Sequence, residues 1–67
     1  MTLQAIIFKK QYWDLDKVHK WLNDNDYHPI KAIHETANFY RARIVKPTFR
    51  QYYTRKGANH IEYIIGY

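Results

Sequence analysis

Residues 2–26, TLQAIIFKKQYWDLDKVHKWLNDND, decide the fold, because they place one predicted strand directly before one predicted helix. The segment 2–9 is rich in β-branched and aromatic side chains, and apolar residues occupy both of its alternating faces. Such a pattern predicts a strand that is buried on both sides, hence a central strand of a sheet. Lys9, Lys10 and Gln11 then bring the chain to the surface.

A helix is predicted over residues 14–24. Asp14 is the predicted N-cap, since its carboxylate can accept an unpaired backbone N–H of the first turn. Trp13 before this cap and Val18 four residues after it fit a hydrophobic staple. The polar run 23–26 cannot continue the apolar stripe and ends the helix. The stripe consists of Leu15, Val18, Trp21 and Leu22.

Further strands are predicted after the helix, at residues 30–35, 39–45, 49–55 and 61–67. Turn residues separate them: a Thr-Ala-Asn turn in which Asn38 can take a left-handed conformation, a Lys-Pro-Thr break, and a loop that contains Gly57. Up to residue 55 the predicted order is β-α-β-β-β, and the strand 61–67 closes the sheet.

The predicted fold class is α+β, a single helix packed on a mainly antiparallel sheet in one small domain over residues 1–67. A chain of this length buries only about 60% of the surface that its unfolded form exposes, so the core is expected to be thin. The apolar stripe of the helix needs a sheet face to cover it. The side chains expected on that face are Ile6, Phe8, Tyr40, Ile44 and Ile64.

Composition excludes several classes of protein. The chain has no cysteine, so it has neither a disulfide framework nor a thiolate zinc site. No apolar run approaches the roughly 20 residues that cross a bilayer, so no membrane partner is expected. Residues 1–10 lack the basic region and the small-residue cleavage site of a signal peptide, and an intracellular location is expected.

Patterns for catalysis and metal binding are missing from the sequence. The histidines at positions 19, 28, 34 and 60 form neither the i, i+4 helical pair nor the spacing that zinc ligands use. Only two glycines occur, which rules out a glycine-rich phosphate loop, and there is no G-x-S-x-G sequence. A non-enzymatic protein with no metal and no cofactor is therefore predicted.

Residues 38–57, NFYRARIVKPTFRQYYTRKG, carry much of the basic charge. They hold six of the eleven Lys and Arg residues and no acid, in a chain of net charge +5. Alternation places Arg41 and Arg43 on one face of their strand, and Tyr53 and Arg55 on one face of the next. The candidate binding residues are Arg41, Arg43, Arg50, Tyr53, Arg55 and Lys56.

Three interpretations of these residues stay open from the sequence. Guanidinium groups beside aromatic rings are what single-stranded nucleic-acid surfaces use for phosphate contact and base stacking. Arginine also binds the carboxylates of an acidic protein surface in a forked geometry. Alternatively, exposed sheet faces commonly carry such residues without any ligand. The sequence also leaves open whether internal acids such as Glu35 or Glu62 hold the arginines.

The order of several residues resembles that of a known module. A helix containing "WL" is followed by "NFYRAR", then "KPTF", "TRK" and a final "IG". This order resembles a small module, mostly of unassigned function, in proteins of tailed phages and large DNA viruses, where it is free-standing or fused to head-assembly proteins. Ala42 departs from it, since an aromatic residue is usual there, and so does "YYTRKG". The matching positions are Trp21, Leu22, Asn38, Tyr40, Arg41, Arg43, Pro47, Phe49, Thr54, Arg55, Lys56 and Gly66.

The resemblance implies a viral, non-enzymatic module located in the host cytoplasm or the virion, and it leaves the ligand open. Together with the charge, it gives the hypothesis of a small viral accessory protein that binds a polyanion, above all nucleic acid, through a basic and aromatic sheet face. The alternative is a virion or assembly component, or a host-protein interaction module, which forms a homodimer by edge pairing of the strand 61–67.

Overall fold

The first strand lies at the centre of a five-stranded sheet in the computed structural model, which describes all 67 residues. The order across the sheet is β2-β3-β1-β5-β4, and every neighbouring pair is antiparallel. The predicted α+β class, with one helix and a mainly antiparallel sheet, is confirmed, and so is the central position of the first strand. The elements are β1 (Thr2–Lys9), α1 (Leu15–Asp24), β2 (His34–Glu35), β3 (Phe39–Arg43), β4 (Tyr52–Lys56) and β5 (Ile61–Gly66).

The helix α1 packs its apolar stripe against one face of the sheet. Asp14 caps it as predicted, because its Oδ1 accepts a hydrogen bond from the backbone N–H of Lys17 at 2.8 Å. Val18 and Leu22 are buried, whereas Leu15, which the stripe included, is 41% exposed. The buried core cluster comprises Ile6, Phe8, Val18, Leu22, Tyr40, Ala42 and Ile61.

The other side of the sheet is not covered by the helix, and we call it the open face. Paired residues of neighbouring strands project to the same side, so the register assigns each side chain to a face. Ile6 and Phe8 face the helix, and their sequence neighbours therefore face away from it. The open face consists of His34 on β2, Phe39, Arg41 and Arg43 on β3, Ala5, Ile7 and Lys9 on β1, Glu62 and Ile64 on β5, and Tyr52, Thr54 and Lys56 on β4.

The strand predicted over residues 30–35 is wrong for its first four residues. Only His34 and Glu35 join the sheet, both of them exposed. The backbone N–H of Ile30 instead donates to the carbonyl of Arg43 at 2.8 Å, so the chain crosses the end of β3 before it enters the sheet. A run of alternating residues cannot reveal such a crossing.

Three other strand boundaries differ from the prediction by a few residues. β3 ends at Arg43, because the N–H groups of Ile44 and Val45 both donate to the carbonyl of Gln4 and bend the chain. β4 begins at Tyr52, because the two preceding N–H groups both donate to the carbonyl of Tyr67. β5 ends one residue earlier than predicted, at Gly66.

The C-terminal strand also differs from expectation in its surroundings. Ile64 was expected to face the helix, but it pairs with Ala5 and Thr54 on the open face. The next residue, Ile65, is equally apolar, so alternation alone could not choose between them. β5 lies between β1 and β4, and it therefore has no free edge for the predicted dimer contact.

Left-handed backbone occurs at Asp26, Asn59 and His60, with φ near 60°, and not at Asn38. The turn before β3 needs no left-handed residue, because the hydroxyl oxygen of Thr36 accepts the N–H of Phe39 at 3.1 Å. Asn59 and His60 occupy the centre of the turn into β5, and two consecutive positive φ values there are typical of a type I′ hairpin turn.

Gly66 is packed directly beneath the ring of Phe49, which leaves no room for a side chain. We expect Gly66→Ala to lower the free energy of unfolding by about 1–3 kcal/mol, because an added Cβ would overlap that ring. Urea unfolding measures the loss. In a Phe49→Ala background the same substitution should cost much less, whereas equal costs in both backgrounds would contradict this contact as the cause.

Candidate functional site

The alternation of β3 brings two arginines to the open face. Tyr40 and Ala42 are buried in the core, so Arg41 and Arg43 lie on the opposite side of the strand. They share one face, as the alternation predicts. Both are partly exposed, and they lie beside the central strand rather than at the edge of the sheet.

The register aligns residues from all five strands in one row across the open face. This row is His34, Arg41, Ile7, Glu62 and Lys56. Because neighbouring strands lie about 4.8 Å apart, the backbones of Arg41 and Lys56 are separated by about 14 Å, three strand spacings. The face therefore has cationic side chains on both sides of a central strip.

The central strip between these cations is largely apolar. Ile7 is only 7% exposed and Ala5 is fully buried, although both face away from the helix. Ile64 lies beside them on β5 and is half-buried. An apolar strip with cationic borders offers both packing and charge to a ligand.

Two predicted site residues lie on the other side of the sheet. Tyr53 pairs with Ile65 and Arg55 pairs with Tyr63, which packs against the core on the helix side. They share a face, as predicted, but it is not the face of Arg41. The register of the hairpin, which sequence alternation within one strand does not give, determines this difference.

Of the two remaining predicted site residues, one lies on the open face and the other lies outside the sheet. Lys56 lies on the open face, whereas Arg50 is exposed in the loop before β4. Sequence reasoning missed Lys9, which pairs with Phe39 and belongs to the open face. Lys9 lies two residues after Ile7, so the alternation of the first strand could have placed both side chains on the same face.

No arginine forms an ion pair in this protein. The ion pairs are Lys9–Glu62 at 3.6 Å, Lys10–Glu35 at 2.6 Å and Lys20–Asp24 at 2.9 Å, and the imidazole Nε2 of His28 lies 3.1 Å from Oδ1 of Asp26. Internal pairing of the arginines with Glu35 or Glu62, which the sequence left open, is therefore absent, because both acids bind lysines. The guanidinium groups stay without a carboxylate.

A buried amide positions Arg41. Gln4 is fully buried at the point where the register of β1 against β5 shifts, between Leu3 and Ala5, and its Nε2 donates to the carbonyl of Val45 at 2.9 Å. Its Oε1 accepts a hydrogen bond from Nη2 of Arg41 at 3.0 Å. The Nε of Arg41 is buried and has no partner. Gln4 thus fixes the guanidinium of Arg41, and one N–H donor of that guanidinium, at Nε, has no acceptor.

A partly enclosed concavity of about 640 Å³ lies at one end of the open face. Its volume falls within the range of about 300–1,000 Å³ that ligand sites usually have. The turns after β1 and before β3 form its end wall, through Lys10, Gln11 and Asn38. Its floor and sides are formed by Ile7, Ile64, Lys9, Phe39, Arg41 and Glu62.

No family model, curated protein or solved structure matches the chain significantly. The resemblance to a viral module therefore stays a prediction. Several of the residues that carry it have packing roles here: Leu22 and Tyr40 lie in the core, and Phe49 covers Gly66.

Two structural findings concern metals and membranes. No three His, Asp or Glu side chains come together in a group that could hold a metal ion. The one helix is too short and too polar to span a membrane.

Proposed function

We propose that this protein is a small, non-enzymatic viral accessory protein that binds a polyanion, above all nucleic acid, through the open face of its sheet. One observation carries the proposal. The open face has four cationic side chains and one acid, and neither of its arginines has a carboxylate partner. The four cations are Lys9, Arg41, Arg43 and Lys56.

Aromatic rings on the same face favour nucleic acid over an acidic protein surface. Phe39 and Tyr52 lie on the open face, and Tyr52 is 42% exposed. Bases stack on such rings while cations contact the phosphates, whereas the carboxylates of a protein partner would contact only the cations. The arrangement therefore supports phosphate contact by the cations of β3 and β4 and base contact by the rings of the same two strands.

Binding of labelled oligonucleotides, single-stranded and double-stranded, at low and at moderate salt tests this function. We expect binding at low salt that weakens steeply as salt rises, because neutralising phosphates releases counterions. Absence of binding to both kinds of oligonucleotide at low salt would refute the proposal.

Removal of the single acid on the open face should strengthen binding. Glu62→Gln keeps the size of the side chain and frees Lys9, which lies 3.6 Å from the carboxylate. At low salt we expect roughly 1.5- to 5-fold tighter binding of an oligonucleotide, the effect of about 0.2–1 kcal/mol for one exposed charge. Fluorescence anisotropy titration measures it.

A matched control for this charge change lies on the helix. Asp24→Asn alters the net charge equally but is exposed at the end of α1, on the other side of the sheet. It should have a smaller effect. If Asp24→Asn tightens binding as much as Glu62→Gln does, the net charge and not the open face determines affinity.

The second candidate function is an assembly component or protein-interaction module that forms a homodimer through β4. This strand is at the edge of the sheet, and all five of its residues are exposed. Antiparallel pairing of two copies about Thr54 would set Tyr52 against Lys56 of the second copy, and Tyr53 against Arg55, as cation–π pairs. Sedimentation at several concentrations tests it. A salt-insensitive dimer without affinity for oligonucleotides would favour this second function.

A further inference from the structure

We propose that the concavity on the open face holds an unstacked base of a single-stranded nucleic acid, with Phe39 as the stacking surface and Arg41 on the adjoining phosphate. This inference rests on the proposed function and narrows it, since it names the form of nucleic acid and the residue that contacts the base. Three observations support it: the ring of Phe39 pairs with no other ring, two side-chain amides of the concavity form no hydrogen bond, and Arg41 in the concavity has no carboxylate partner.

Phe39 is the one aromatic residue that neither forms a ring pair nor packs in or against the buried core. Nine of the twelve aromatic residues form ring pairs with one another or with His60. Of the remaining three, Tyr40 is in the core and Tyr63 packs against it. Phe39 is partly exposed, lies on the open face and lines the concavity. Its ring is therefore free to take a ligand ring.

The floor of the concavity suits the flat face of a base. Ile7 and Ile64 supply apolar surface to this floor, and Ile7 lies diagonally across from Phe39 on the neighbouring strand. A base enters such a site only when it is out of the duplex stack, because paired bases expose just their edges in the grooves. The geometry therefore favours a single strand, or a base that is already unpaired, over a regular duplex.

Two amide side chains at the end wall can read the edge of the base. Gln11 and Asn38 line the concavity, and neither side chain takes part in a hydrogen bond within the protein. Each amide offers two N–H donors and a carbonyl acceptor. These groups would supply hydrogen bonds to a base whose pairing edge is exposed.

Charge assigns the phosphate to Arg41. Three cations line the concavity, but Lys9 lies 3.6 Å from Glu62, and Lys10 donates to Glu35 at 2.6 Å. Arg41 has no carboxylate partner, and Gln4 holds its guanidinium in place. A fixed cation without a counter-ion beside a stacking ring is the arrangement that phosphate-and-base contact requires.

The test compares a short single-stranded oligothymidylate with an abasic oligonucleotide of the same length and charge. The wild-type protein should bind the oligothymidylate about 5- to 150-fold more tightly, the range expected from about 1–3 kcal/mol of stacking per base. Phe39→Ala should remove most of this difference and leave affinity for the abasic strand unchanged. Tyr53→Ala, the same kind of truncation on the helix side of the sheet, should keep the difference.

The outcomes separate this inference from the proposed function. Equal affinity of the wild-type protein for both strands, or equal loss for both in Phe39→Ala, overturns the base site while polyanion binding stands. Equal binding of a duplex of the same length also overturns it. Failure of both single strands to bind, while the duplex binds, also overturns the base site alone, whereas failure of both strands and of the duplex overturns the proposed function as well. If Phe39→Ala proves unfolded by its tryptophan fluorescence, Phe39→Leu, which keeps apolar volume and loses the ring, replaces it under the same criteria.

Discussion

Phe8→Ala is expected to unfold most of the protein at room temperature. Phe8 is fully buried, and its ring makes edge contacts with Trp13 and Trp21 at centroid distances of 5.0 and 5.5 Å. Truncation of a buried phenylalanine costs about 3–5 kcal/mol. A chain of 67 residues has a total stability of only about 3–10 kcal/mol at about 0.05–0.15 kcal/mol per residue, and small domains lie near the lower end.

Tryptophan fluorescence and near-ultraviolet circular dichroism measure this loss, because both tryptophans contact the deleted ring. Phe39→Ala is the matched control: the same truncation at a partly exposed residue of the open face should cost about 1 kcal/mol and leave the protein folded. A Phe8→Ala variant that unfolds at the wild-type urea concentration would contradict the core described for this fold.

Arg43→Ala combined with Lys56→Ala is expected to weaken oligonucleotide binding about 5- to 30-fold at low salt. The two residues lie on opposite sides of the apolar strip, and neither side chain forms a hydrogen bond or an ion pair within the protein. Each lost phosphate contact is expected to cost about 0.5–1 kcal/mol at an exposed site, and the two add because they lie far apart.

Arg41 is not substituted in this double variant, for a structural reason. Its removal would leave the buried Oε1 of Gln4 without a donor, at a cost of about 1–3 kcal/mol, and would mix a loss of stability with a loss of binding. The control is Lys17→Ala with Lys20→Ala, which removes the same charge from the exposed surface of α1. An equal loss of affinity in this control would show that net charge, and not the open face, is responsible.

The helix and the central strand could be predicted from the sequence because their signals are local. Asp14 caps the helix with its own carboxylate, and the apolar residues of β1 occupy both faces because strands flank it on both sides. The strand at 30–35 could not be placed correctly, because the bond from Ile30 to Arg43 is a tertiary contact between segments distant in sequence.

The sequence predicted which candidate site residues share a face of the sheet only when they belong to the same strand. Alternation placed Arg41 and Arg43 together, since a strand has a strict period of two. It could not relate them to Tyr53 or Arg55, because the register of β4 against β5 is fixed by the turn at Asn59 and His60. The absence of acids around the arginines likewise depends on cross-strand neighbours that a sequence does not display.

The salt dependence of oligonucleotide affinity tests the central claim most directly. A plot of log affinity against log salt should fall for the wild-type protein. For Arg43→Ala with Lys56→Ala it should be shallower by about 1.4, since each phosphate contact to a single strand contributes about 0.7 to the slope. Identical slopes for the two proteins, or wild-type binding that salt does not change, would contradict a role of the open face in binding phosphates.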